Sequence, residues 1–212
     1  MLVFQLTNDL VFPDPLLAED GLLAVGGDLS PERLILAYKS GIFPWYSEGE
    51  PILWHAPDPR FILTPKYFKR SKSLRLLINK NVYHCTVNED FDGVIDYCAS
   101  IPRKDQDDTW ITGEMKDAYI TLNKMGFAYS IEVRDQNGLL SGGLYGIKLG
   151  KVFFGESMFS LEPNTSKIAL SYLVDNFDIG LIDAQVYTAH MESMGAYHIG
   201  LNTFLTLLNR LI

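Results

Sequence analysis

In LIDAQV, residues 181–186, the even positions Ile182, Ala184 and Val186 are apolar, whereas Asp183 and Gln185 are polar. Side chains alternate across an extended strand, so Asp183 and Gln185 are expected on one exposed face about 6.6 Å apart, a carboxylate and a carboxamide converging on one surface. In VFFGESMFS, residues 152–160, the same alternation predicts Phe154, Glu156, Met158 and Ser160 on a common face. An acid would then stand beside a soft hydrophobe, a setting suited to an ammonium group next to an apolar side chain. Gly155 marks a place where a bulge would disturb that register. Either segment reads equally as a polar strand face hydrogen-bonded to a neighbouring helix or to water.

Aromatic and basic residues point to a second kind of chemistry. Trp45 (in Phe43-Pro44-Trp45-Tyr46), Trp54 beside His55, and Trp110 after Thr109 flank a segment, residues 60–88, that carries seven basic residues and no Asp or Glu. These are Arg60, Lys66, Lys69, Arg70, Lys72, Arg75 and Lys80. Bases of single-stranded nucleic acid stack on indole rings at roughly 1–3 kcal/mol each, and phosphates are drawn to Lys and Arg. The competing readings are that the tryptophans pin two parts of the chain together and that the basic run is a solvated helix face. The net charge is −8; of 18 Lys and Arg only 11 lie outside the segment, against 26 acidic residues. Such separation would serve a polyanionic partner in one place and a cationic one in another.

Other chemistries find little support. His55, His84, His190 and His198 show neither metal-ligand spacing nor a serine in a nucleophile elbow, and read as ordinary structural histidines. Cys85 and Cys98 form no CxxC and are expected to be buried thiols. There is no GxGxxG, no Walker loop, and no Arg- or Gln-led glycine loop to cradle a coenzyme A pyrophosphate; Gly142, Gly143 and Gly146 fit close strand packing instead. No cofactor and no metal are expected.

The elements that must position these residues can be sketched from pattern and punctuation. The chain has 212 residues, 47% hydrophobic and 21% charged, which excludes global disorder. The longest charge-free run, residues 193–209, is too short and too interrupted for a membrane span, and residues 1–12 lack a basic n-region, so a mature cytosolic protein is expected. The first third is rich in Pro and Gly, with one clear helix: Ser30 as N-cap, Pro31 in the first turn, Leu34, Ala37 and Tyr38 at helical spacing, Gly41 as terminator. A small domain is placed at residues 1–60 and a larger one at 61–212. In the latter, a helix over 113–124 leads to strands over 128–133, 139–147 and 152–160, the first two joined by an Asn137-Gly138 turn. A helix capped by Thr165 or Ser166 follows, then the LIDAQV strand, then an amphipathic C-terminal helix on Leu201, Phe204, Leu205, Leu208, Leu211 and Ile212.

Taken in order, the segments GLLAVGGDLSPERLILAYKSGIFPWYS, ILWHAPDPR, TWIT, YSIEV, GGLYG, FFGESMFS, NTSKIAL and LIDAQV, between Gly21 and Val186, resemble the leucyl/phenylalanyl-tRNA–protein transferase family. The resemblance implies an α+β protein: a small N-terminal α/β domain beside a GNAT-like acyltransferase domain with a mixed, mainly antiparallel sheet flanked by helices. Aminoacyl-tRNA would take the place of acetyl-CoA, in keeping with the missing coenzyme A loop. It implies Asp183, Gln185 and Glu156 as catalytic residues and Trp45 and Trp110 as rings stacking the terminal adenosine. Leu144, Phe153, Met158 and Ala184 would line the amino-acid pocket. The basic residues Lys66, Lys69, Arg70, Lys72, Arg75 and Lys80 then read as tRNA contacts.

The implied reaction moves leucine, phenylalanine or methionine from aminoacyl-tRNA to the N-terminal α-amine of proteins beginning with Lys or Arg, marking them for N-end-rule degradation. An aminoacyl ester is already activated, so a peptide bond can form by aminolysis. An α-amine with a pKa of about 7.7–8.0 is partly neutral at pH 7, whereas a lysine amine near about 10.4 is almost wholly protonated, which favours attack by the N-terminus. Asp183 would orient and polarise Gln185, Gln185 would position the amine, and Glu156 would hold the donor's α-ammonium. A monomer is expected. The alternatives are an acyltransferase with another activated donor and an RNA-binding module without turnover.

Overall fold

The computed structural model describes residues 3–101 and 111–212. The N-terminal part builds a four-stranded sheet from β1 (Phe4–Leu6), β2 (Leu22–Gly26), β3 (Phe43–Pro44) and β4 (Leu53–His55) in the order β1-β2-β4-β3. Helix α1 (Pro31–Lys39) links β2 to β3. Its sequence signals operate as expected: Ser30 Oγ accepts the Arg33 N–H, Pro31 occupies the first turn where its missing N–H costs nothing, and Gly41 takes φ +74° just beyond the helix. Arg33, Leu34, Ala37 and Tyr38 are buried on one face.

The larger sheet has seven strands: β5 (Arg60–Leu63), β6 (His84–Val87), β7 (Ala128–Arg134), β8 (Leu140–Leu149), β9 (Val152–Ser160), β10 (Leu181–Gln185) and β11 (Tyr197–Ile199). Their order is β11-β5-β10-β9-β8-β7-β6, antiparallel throughout except for the parallel β9/β10 pair. Helices α2 (Lys72–Asn79), α3 (Phe91–Ser100), α4 (Gly113–Lys124), α5 (Thr165–Asn176), α6 (Ala189–Ser193) and α7 (Leu201–Leu211) complete the fold. The protein is thus α+β with a mixed, mainly antiparallel sheet flanked by helices. The Asn137-Gly138 turn joins β7 to β8, with Gly138 at φ +81° and Asp135 accepting the N–H groups of Asn137 and Leu139.

Two apolar clusters cover the two faces of the large sheet. On one, Leu170 and Leu173 of α5 and Leu74 of α2 pack with Leu144, Phe153 and Ile182. On the other, Val94, Met115, Tyr119, Tyr145, Phe154 and Phe159 are continuous with Leu34, Tyr38 and Trp54 of the small sheet and with Phe204 of α7. The two sheets therefore share one core. The glycines on β8 answer to close packing, since a Cβ on Gly146 would lie 2.1 Å from the Phe154 carbonyl.

Three local expectations are corrected. Helix α5 is capped by Asn164, at φ +71°, rather than by Thr165 or Ser166. Those two side chains instead tie the helix start to the sheet: Thr165 Oγ1 donates to the Ser141 carbonyl, and Ser166 bonds Ser160. Cys85 is only half-buried, while Cys98 is buried. The alternation along β9 is broken as well. Gly155 pairs with Gly146 and Ser157 with Tyr145, so Glu156 is the extra residue of a bulge. Phe154 and Phe159 consequently face one core, Phe153 and Met158 the other, and Phe154 does not share a face with Met158.

Candidate active site

The parallel pairing of β9 and β10 runs from Leu181 opposite Val152 to Asp183 opposite Phe154. Beyond that point both strands deform. β9 bulges at Glu156, and β10 shifts register between Asp183 and Gln185, with Gln185 in the left-handed region at φ +62°. A non-glycine residue held there costs of order 1–3 kcal/mol and needs support from its surroundings. The support is a bond from the Gln185 N–H to Asp183 Oδ1, 2.9 Å.

Opposite these bulges lies a cavity of about 420 Å³. Leu144, Phe153, Met158, Phe159, Leu170, Ile182, Ala184 and Met191 supply apolar wall, Ser157, Ser160, Ser166, Thr188 and His190 supply polar atoms, and Tyr145, Gly155, Glu156 and Asp183 complete the lining. The structure thus brings Leu144, Phe153, Met158 and Ala184 onto one cavity that Glu156 and Asp183 also border, Asp183 with its carboxylate turned into the core.

Glu156 is buried and carries three donated hydrogen bonds. Its Oε1 accepts from the Tyr38 hydroxyl at 2.7 Å and from Gln185 Nε2 at 3.0 Å, and its Oε2 accepts from the Tyr119 hydroxyl at 3.0 Å. The two tyrosine hydroxyls also touch each other. Burial pushes the Glu156 carboxyl up to about 7, the three donated bonds oppose that rise, and the Asp183 charge adds to it. Tyr38 and Tyr119 are held well above the usual tyrosine range by burial and by the Glu156 charge.

Asp183 departs from expectation. It lies not on an exposed face but fully buried, with Oδ1 accepting from Arg60 Nε at 2.8 Å and Oδ2 from Arg60 Nη2 at 2.6 Å. Arg60 is equally buried, so it is no part of the basic surface in which the charge count placed it. Asp183 reaches Gln185 through the backbone N–H, whereas the Gln185 carboxamide is directed to Glu156. The carboxylate and the carboxamide do converge, but through a bulge and inside the protein.

Tyr38, Tyr119 and His190 join the site without any sequence signal for it, and Arg60, read from sequence as one of the basic run, joins it as the buried partner of Asp183. In sequence Tyr38 reads only as a residue at helical spacing, and Tyr119 only as one residue of the helix over 113–124. His190 lines the cavity, its Nε2 is buried without a hydrogen-bond partner among the described residues, and burial lowers its pKa. Only the tertiary arrangement separates it from the other three histidines.

The outer candidates are dispersed. Trp45 is half-buried on the small sheet, its ring tilted against His55 at 5.7 Å, and its carbonyl bonds the His55 ring. Trp110 lies outside the described residues. Lys66, Lys69, Lys72, Arg75 and Lys80 are exposed around the start of α2 and along it. Arg70 is partly buried, anchored to Asp175 Oδ1 at 2.6 Å and to the Ser171 carbonyl, both on α5. Leu74 of α2 belongs to the same apolar cluster as the cavity wall, so the basic run and the cavity lie on one side of the sheet.

The chain is similar to known proteins over nearly all of its length. A family model described as leucyl/phenylalanyl-tRNA protein transferase matches residues 62–209, and one described as the N-terminal domain of that transferase matches residues 27–58. The leucyl/phenylalanyl-tRNA–protein transferase of Syntrophobacter fumaroxidans is 54% identical over 98% of this chain and 90% of its own length. That of Flavobacterium johnsoniae is 50% identical over 97% of this chain and 99% of its own. A GCN5-related N-acetyltransferase from Kribbella flavida overlays on 80% of this chain and 61% of its own, with a TM-score of 0.38 at 8% identity. The matched family makes this protein an enzyme, an aminoacyltransferase. The chain belongs to the leucyl/phenylalanyl-tRNA–protein transferase family.

Proposed function

We propose that the protein transfers leucine, phenylalanine or methionine from aminoacyl-tRNA to the N-terminal α-amine of proteins beginning with Lys or Arg, so marking them for N-end-rule degradation. It would act as a monomer in the cytoplasm, with residues 1–60 and 61–212 as its two units. The observation that carries the reading is an apolar cavity bordered by Glu156, whose Oε1 holds the Gln185 carboxamide where β9 and β10 part.

In this reading the donor side chain enters the cavity, against Leu144, Phe153, Met158 and Ala184. That wall offers shape and soft surface, so unbranched and γ-branched donors fit, while valine and isoleucine clash near the reacting carbonyl. A single methylene distinguishes donors by only about 10–200-fold, so leakage among apolar donors is expected. A carboxylate has about four acceptor positions; three of Glu156's are used, and the fourth receives the donor's α-ammonium. The Gln185 carboxamide, held at the same spot, orients the incoming amine. The amine nitrogen bonds to the ester carbonyl carbon, the bond to the ribose oxygen breaks, and the proton lost by the amine ends on that departing oxygen. Asp183 holds Gln185 in place, since both its oxygens are engaged by Arg60. Trp45 and Trp110 would grip the terminal adenosine shared by every tRNA, contributing affinity without choosing the amino acid.

The test is incubation with leucyl-tRNA and an Arg-initiated peptide, read by mass spectrometry. Leucine added at the peptide N-terminus is the expected product. An unmodified peptide, or leucine on an internal lysine, overturns the reading.

A further inference from the structure

We infer that Arg60 is a positioning residue for aminoacyl transfer, acting through Asp183 to set the backbone and carboxamide of Gln185; the inference rests on the transfer reaction proposed above. Four observations converge on it. The guanidinium is fully buried and makes a two-pronged contact with Asp183, at 2.8 and 2.6 Å. Its Cζ lies 4.7 Å from the ring centre of Phe43 on β3 and 4.7 Å from that of Phe204 on α7, so the cation sits between a ring of the small sheet and a ring of the C-terminal helix. The oxygen bonded by Nε is the one that accepts the Gln185 N–H. Finally, that N–H belongs to a residue at φ +62°, whose Nε2 reaches Glu156.

A buried ion pair is a poor way to gain stability, because desolvation offsets most of the attraction and a well-packed apolar pair often does as well. What the pair supplies here is direction. The planar fork holds the Asp183 carboxylate in one orientation, and the carboxylate in turn holds the strained turn that presents Gln185. Small displacements at such a position are costly to rate, since about 1 Å of misplacement lowers turnover on the order of 100-fold. Lysine retains the charge but lacks the fork, so Arg60→Lys separates the two contributions.

The experiment compares steady-state transfer from leucyl-tRNA to an Arg-initiated peptide for the wild type, Arg60→Lys, Gln185→Ala and the double variant, with thermal melts confirming that each is folded. The expected result is a fall in kcat of roughly 10–100-fold for Arg60→Lys, with KM for leucyl-tRNA changed by less than about threefold and no further fall when Gln185 is already alanine. Wild-type kcat in folded Arg60→Lys overturns the inference. So does an equal loss in both backgrounds, which would mark a general structural role, or a change confined to KM. Should Arg60→Lys not fold, Phe204→Leu loosens the guanidinium from one side and is read in the same two backgrounds against the same outcomes. The wild-type lane separates the two levels: a wild type that transfers nothing defeats the proposed function, whereas an active wild type with an additive Arg60→Lys loss defeats only the inference.

Discussion

At the scale of single residues, the burial of Asp183 decides what its removal does. Asp183→Ala would leave the Arg60 guanidinium unpaired in the core, and breaking a buried pair from one side costs about 3–5 kcal/mol. Urea unfolding of Asp183→Ala should show a loss of that size, so lost activity in this variant would report stability as well as chemistry. A midpoint equal to wild type would mean that the pair is not intact in solution. Glu156 carries a pH dependence whose sign is determined by its raised pKa. Its carboxyl titrates near 7 when folded against an ordinary 4.5, so the folded protein keeps a proton that the unfolded chain has lost between those values. Stability from this group is full below pH 4.5 and is lost as pH rises through about 7. Donor engagement runs the other way, because only the ionised carboxylate attracts an ammonium: kcat/KM for aminoacyl-tRNA should rise through pH 7. In Glu156→Gln both trends should flatten, checked by urea midpoints and kcat/KM across that window. An unchanged rate profile would remove Glu156 from donor binding.

At the scale of elements, the basic run is not uniform. Arg70 is committed to α5, whereas Lys66, Lys69 and Lys72 are exposed near the N-terminal end of α2. Reversing those three lysines to Glu should weaken tRNA binding and flatten its salt dependence by roughly 0.7–0.9 log units per log unit of salt for each phosphate that is no longer neutralised. Fluorescence anisotropy over a salt series measures this, and an unaltered slope would return the run to a solvated helix face. The paired bulges on β9 and β10 act at the same scale. They end the parallel pairing, open the sheet, and allow groups from the α1 and α4 side to meet the apolar wall on the α5 side.

For the whole molecule, the shared core makes the two sheets one cooperative unit. Tyr38 of α1 bonds Glu156 on β9, Phe43 of β3 covers Arg60 on β5, and a Cβ on Gly41 would lie 2.7 Å from Leu205 of α7. Trp54 on β4 and Trp45 just after β3 go with the small sheet, whereas most helix and strand lies elsewhere, and the third tryptophan, Trp110, falls in the 61–212 part of the chain. In a Trp110→Phe background, tryptophan fluorescence and far-ultraviolet circular dichroism should therefore report coincident denaturation curves. Two separated transitions would show that the units unfold independently.

The amino-acid order by itself determined what depends on neighbours along the chain. The cap and stop of α1, the Asn137-Gly138 hairpin, the apolar stripe of α7 and the family-like run of motifs are all local or near-local patterns, and each was readable. Four of the apolar residues on the cavity, Leu144, Phe153, Met158 and Ala184, were implied by the family resemblance that those motifs carry. Only the tertiary structure decided the rest. That Arg60 is buried against Asp183 while its basic neighbours face solvent depends on strand pairing across 123 positions of sequence. Gly155 marked a place for a bulge, but only the pairing of β9 with β8 shows that the register shifts and that Glu156 is the extra residue. Tyr38 and Tyr119 became partners of Glu156 because two helices from distant parts of the chain pack on the same sheet face. Periodicity says which side of an element is buried; which group it meets there is a property of the folded whole.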